Sequence, residues 1–198
     1  MKIPSMYDDK LFEERTLFLQ GEINEESCAT LIKQLLLYHA EFEKNFVPLE
    51  KRTVKLCVSS MGGSVRAGLA LISFLNSIPL KLKIVALNVA SMAAVITCCC
   101  ANGSRYIVKD GSIMIHQPSM GTSGTIADAQ IALEQGVILR TKINDLVAEA
   151  TGQAIEEVEE AMSRDSWFDS QEALKWGLVD HIIDSKEVFE EVFNEESL

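Results

Sequence analysis

Nucleophilic acyl transfer needs a hydroxyl or thiol, a base within hydrogen-bond reach, and an acid that orients the base. Three histidines can supply the base, at positions 39, 116 and 181. His39 borders the charged stretch Glu41–Arg52 and reads as a solvated loop residue. His181 lies between apolar pairs ahead of an acidic tail. Only His116 closes a strand-type run, Ser112–Ile115, and precedes Gln117-Pro118. Strand ends are where α/β sheets present ligand-facing groups. Ser91 stands 25 residues earlier, where the apolar, β-branched start of Lys83–Cys100 gives way to Met92-Ala93-Ala94 and a helical composition. A strand that turns straight into a helix sets its junction residue beside unpaired backbone N–H groups, which can hold developing negative charge. Taken alone, a serine there also fits a buried hydroxyl bonded to a carbonyl. The candidate acids are Asp128, Asp165, Asp169 and Asp180, and their spacing does not rank them.

The elements that must position these groups repeat a βα rhythm. Thr16–Leu19 is a short strand ended by Gly21, and Asn24-Glu25-Glu26 caps a helix from Ser27 to about Tyr38 on the period of Leu31 and Leu35. A second strand, Val54–Val58, enters a tight turn at Gly62-Gly63, whose backbone can approach a bound group without a side chain in the way. No Lys-Ser/Thr follows, so the turn is not a phosphate loop. A buried helix from Val65 to Leu75 and a third strand, Leu82–Leu87, come next. Tyr106–Val108 and Ser112–Ile115 read as two strands around a turn at Lys109-Asp110-Gly111. This alternation predicts a largely parallel sheet, with Ser91 and His116 at the ends of neighbouring strands.

Beyond the Ser119–Thr125 loop, Ile126–Thr151 reads as one long helix stopped by Gly152, long enough to protrude or pack on another subunit. Ala154–Met162 is a short acidic helix and Ser163–Asp169 a polar, aromatic turn. Ser170 caps a helix over Gln171–Trp176, and Leu178–Ile183 is an interrupted last strand. Met1–Glu14 reads as a short irregular start, and the acidic tail from Lys186 to Leu198 as a frayed, solvated helix.

With 198 residues, 47% hydrophobic and 24% charged, one domain with a sizeable core is expected. A net charge of −11 argues against nucleic acid or an anionic membrane as partner. The apolar stretch 84–101 contains Asn88, Ser91 and Thr97 and is short for a membrane span. No basic stretch precedes an apolar one at the start, so a cytoplasmic setting (or an organellar equivalent) is expected. The odd cysteine count, with three consecutive at 98–100, suits buried filler rather than disulfides or a zinc site.

The motifs ASMAA around Ser91, MIHQP around His116, GGSVRAG after the second strand, ATGQ, and RD followed by EALKWGLVD are similar to those of the proteolytic subunit of the Clp protease, ClpP. The resemblance runs from about Leu11 to Ile183, in the family's order. It implies an α/β fold, the crotonase-like spiral of repeated ββα units, with residues 126–151 as a protruding handle helix. It implies Ser91 as nucleophile, His116 as general base and Asp165 as acid, with the backbone N–H groups of Gly63 and Met92 as oxyanion donors. It further implies a serine endopeptidase in two stacked heptameric rings, a tetradecamer with no cofactor of its own. A hexameric AAA+ unfoldase such as ClpX, ClpA or ClpC would spend ATP to feed it unfolded proteins.

The chain departs from the family in places. Met61 stands where a proline usually precedes the glycine pair, and Leu87-Asn88 replaces a glycine-containing approach to the nucleophile. The segment before Leu11 is shorter than the usual gating hairpin, and Ser163 replaces an acidic residue. These departures frame an alternative, a weakly active or structural ring subunit that supports an active paralogue. A third reading, an acyl-CoA enzyme of the same spiral fold, needs no Ser–His pair and ranks last.

Overall fold

Four runs rich in Val, Ile and Leu lie side by side in a sheet. They are β1 (Thr16–Ile23), β2 (Thr53–Gly63), β3 (Lys81–Ala90) and β4 (Gly103–Ile115), paired in that order and all parallel. The computed structural model describes residues 10–100 and 103–193. Parallel neighbours need crossover connections, which are usually helical. α1 (Glu25–Lys44), α2 (Val65–Ser77) and α3 (Met92–Cys98) make them here. α4 (Ile126–Thr151) and α5 (Ile155–Met162) follow, then β5 (Ser166–Asp169), antiparallel to β4. The described chain closes with α6 (Ser170–Trp176), β6 (His181–Ile183), parallel to β4, and α7 (Lys186–Phe193). The α/β class and the largely parallel sheet are as expected.

Side chains alternate across a strand, so each register row faces one side of the sheet. The row Leu17–Leu56–Ile84 joins Leu35 of α1, Leu71 of α2 and Ile96 of α3 in the main core. Each such fully buried side chain contributes about 1.5–3 kcal/mol. The next row, Phe18–Cys57–Val85–Tyr106–His181, faces the other side. There α7 lays Val192, 1% exposed, against Cys57, Val85 and Tyr106. Lys55 Nζ donates to the Phe193 carbonyl at 3.2 Å and Lys83 Nζ to that of Glu191. Residues 186–193 therefore form a docked helix rather than a frayed one, because apolar side chains at 188, 189, 192 and 193 share a helical face. Burial under this cover pushes the Cys57 thiol up to about 11.

Other expectations change in extent or kind. α1 continues to Lys44, which places His39 on a helix, half-buried, with Nδ1 out of contact with water. Its cap is Asn24, as expected, in a reciprocal pair with Ser27. Gly62-Gly63 forms no turn: β2 runs through both, and they pair with Glu22 and Ile23 of β1. Gly21 likewise lies inside β1, at a register shift, instead of ending it. The two short strands around Lys109-Asp110-Gly111 are one strand, β4. Ser163–Asp169 ends in β5, and it is Asp169, not Ser170, that caps α6. The expected irregular start is a helical turn at residues 10–13, and positions 1–9 and 194–198 fall outside the described residues.

Arg105 ties the far ends of these elements together. Its guanidinium and main-chain N–H bind the Asp180 carboxylate, at 2.6–3.0 Å, and its Nη1 reaches the carbonyls of Cys98 on α3 and Ala150 on α4. Burial opposes ionisation of Asp180, yet the Arg105 contacts outweigh it and hold the carboxyl below its ordinary value. A depressed carboxyl adds stability above its unfolded pKa and loses it as pH falls through the folded one. Asp180→Asn should therefore cost about 1–2 kcal/mol at pH 7, a figure discounted for a side chain 37% exposed. The gap between wild type and variant should close below about pH 3. Urea unfolding of both chains across that range checks it.

Candidate active site

Ser91 sits where β3 ends and α3 begins, and the backbone there is strained. Its φ of 56° and ψ of −130° are rare for a residue with a side chain and cost about 1–3 kcal/mol. The strain is held from both sides. Ser91 N–H donates to the Met114 carbonyl at 2.9 Å, and the Ser91 carbonyl accepts from Val95 N–H in α3. A sharp strand-to-helix turn of this kind presents a side-chain hydroxyl away from both elements.

Strand register brings the other two groups to it. β3 and β4 pair as Asn88–Ser112, Val89–Ile113 and Ala90–Met114, so Ser91 and His116 leave adjacent strands at the same end. The Ser91 Oγ to His116 Nε2 distance is 2.8 Å. β4 and β5 pair antiparallel from Ser112–Asp169 to Ile115–Ser166, and one step further His116 meets Asp165. His116 Nδ1 lies 3.3 Å from Asp165 Oδ1. A carboxylate at Nδ1 favours the tautomer with its proton there, which leaves Nε2 free to accept from the hydroxyl. Gln117 secures the approach of Asp165: its main-chain N–H binds the Met162 carbonyl and its side chain the Ser163 carbonyl, the latter at 2.8 Å.

The remaining candidates are committed elsewhere. Asp128 completes the cap of α4 with Thr125, Asp169 caps α6, and Asp180 binds Arg105. His181 stacks on Tyr106 at 4.9 Å, and His39 lies on α1. All five cysteines are buried thiols. Among the described residues no group of three His, Cys, Asp or Glu side chains could hold a metal, and no helix is long and apolar enough to cross a membrane.

Met92 and the glycine pair complete the surroundings. Met92 is the first residue of α3, where main-chain N–H groups have no intrahelical partner. Gly62, which the sequence did not single out from its neighbour, is the closer of the pair to the serine. A methyl there would come within 2.6 Å of Ser91 Cβ and 3.0 Å of Met92 N. Gly63 backs instead onto the Ile23 main chain, 2.3 Å from where its methyl would be. Ser64 then caps α2 by accepting from Ala67 N–H. A cleft of about 420 Å³ opens beyond Gly63, between Gln117 and Met120 on one side and Leu133 and Val137 of α4 on the other.

A family model described as Clp protease matches residues 4–186. An ATP-dependent Clp protease proteolytic subunit 1 of Corynebacterium jeikeium is 35% identical over 182 residues, 91% of this chain and 93% of that protein. Proteolytic subunit 2 of Corynebacterium glutamicum is 36% identical over 176 residues, 88% of this chain and 84% of its own. Proteolytic subunit 1 of Mycobacterium tuberculosis is 36% identical over 180 residues, 90% and 86%.

Gly62→Ala adds a methyl against Ser91 at a φ of +98°. The substitution should lower stability by about 2–4 kcal/mol. By shifting the serine it should also slow any reaction at Ser91 about 100-fold. Thermal melts read alongside the labelling rate of Ser91 by a fluorophosphonate check both effects.

Proposed function

This chain belongs to the Clp protease family, and from that premise we propose that it is a serine-type endopeptidase subunit working through an acyl-enzyme on Ser91. The observation that carries the reading is the line of contacts from Ser91 Oγ to His116 Nε2 at 2.8 Å and from His116 Nδ1 to Asp165 at 3.3 Å. His116 takes the hydroxyl proton as Oγ attacks a peptide carbonyl, and Asp165 steadies the imidazolium that forms. The N–H groups of Gly63 and Met92 stabilise the tetrahedral oxyanion, at about 3–4 kcal/mol per donor. His116 then protonates the leaving amine, and water, activated by the same base, releases the acyl group. No cofactor takes part in these steps.

The reading extends to assembly. α4 carries Ile126, Ile131, Leu133, Val137 and Ile138 at 48–89% exposure, an apolar load that suits a handle joining two heptameric rings into a tetradecamer. The active sites then face an enclosed chamber. A hexameric ATP-driven unfoldase would thread unfolded substrates into it. The relatives are named as subunits 1 and 2, which favours a second reading of assembly, in which this chain shares its rings with a paralogue. A cytoplasmic setting fits both.

Kinetics on a fluorogenic peptide test the chemistry. Ser91→Ala and His116→Ala should each lower kcat by at least about 10³-fold, and Asp165→Asn by about 10²–10⁴-fold, with KM little changed. Full activity in Ser91→Ala would refute the reading. A chain inactive alone, but needed for the activity of mixed rings, would favour the supporting-subunit role.

A further inference from the structure

The register between β3 and β4 breaks once, immediately before the two strand ends that carry Ser91 and His116. Ala86 pairs with Ile107 and Asn88 with Ser112. Leu87 alone on β3 therefore faces Val108, Lys109, Asp110 and Gly111 on β4. At the same point β4 changes its other neighbour, from β6 through Val108 to β5 from Ser112. Gly111 permits the bulge, because a methyl there would stand 2.4 Å from the Leu87 carbonyl.

A bulge sets how many residues each strand spends before pairing resumes, so the contacts at the restart help decide which residues meet beyond it. One residue of slip turns every side chain to the opposite face of the sheet. Here that would carry His116 away from Ser91. The pairing restarts at Asn88 and Ser112, and it restarts on a side chain. Asn88 Oδ1 accepts from both Ser112 N–H at 3.2 Å and Ser112 Oγ–H at 3.0 Å. Asn88 is three residues before Ser91, and Ser112 is four before His116.

We propose that Asn88 is a positioning residue for the reaction: its carboxamide oxygen pins Ser112 and so sets the register that aligns His116 with Ser91. Asn88 itself makes no hydrogen bond to Ser91 or His116. The proposal rests on the acyl-transfer reading of Ser91 and deepens it.

Three variants test it in the full-length, assembled protein. Asn88→Ala removes the acceptor and should lower kcat about 5–20-fold with KM within about twofold, since a loss of alignment acts on the chemical step. Asn88→Asp keeps an oxygen acceptor for both Ser112 donors and should restore kcat to within about threefold of wild type. Ser112→Ala removes the Oγ–H donor alone and should fall between the two. Melting temperatures are read in parallel. Unchanged kcat in Asn88→Ala, a loss confined to KM, or an Asn88→Asp variant no better than Asn88→Ala would each overturn the proposal. Activity that survives in Ser91→Ala would instead sink the acyl-transfer reading, whatever Asn88 does.

Discussion

Everything at the candidate site depends on strand register. Ser91, His116 and Asp165 come from three adjacent strands, and each is the first or second residue beyond, or just before, a paired stretch. His116 and Asp165 each lie one residue outside a strand, so the ends of the ladder carry them to their places. The geometry is therefore as rigid as the ladder behind it, which suits a reaction whose groups must hold alignment to a fraction of an ångström. The cost is sensitivity: a slip of one residue in either pairing dissolves the triad and turns the buried side chains of β4, such as Ile113 and Ile115, out of the core.

The helices serve this register by fixing where each strand ends. Ser64 caps α2 directly after the glycine pair, α3 begins at the residue after Ser91, and Gln117 ties the chain after β4 to the end of α5. Among the described residues the strained φ of Ser91 is the non-glycine departure from ordinary backbone near the candidate site, and it survives because paired strand and helix hold it on either side. Glycine at 62 is the complementary requirement, since any side chain there would enter the space Ser91 occupies.

Much of this could be read from the residues. The βα rhythm gave the parallel sheet, and Ile126–Thr151 with its stop at Gly152 was bounded as observed, because caps and a long periodic face are local signals. The nearness of Ser91 and His116 followed from the expectation of neighbouring strands. The candidate acid did not: the spacing of the four aspartates does not rank them, and only the resemblance selected Asp165. Its place opposite His116 comes from β5, whose four residues Ser166–Asp169 look like a polar turn and become a strand only by pairing with β4. The bulge at Val108–Gly111 was invisible for a related reason, since Lys109-Asp110-Gly111 has turn chemistry inside a strand held by its neighbours. α7 was misjudged because its partner surface, Cys57, Val85 and Tyr106, lies on three separate strands.

The claim that these three strand ends form one working unit is open to a covalent probe. The folded protein is treated with a fluorophosphonate and digested, and the adduct is mapped by mass spectrometry, alongside His116→Ala. One adduct, on Ser91 and absent from the His116→Ala chain, is the predicted result. An adduct on another residue, or equal labelling of Ser91 without His116, would contradict it.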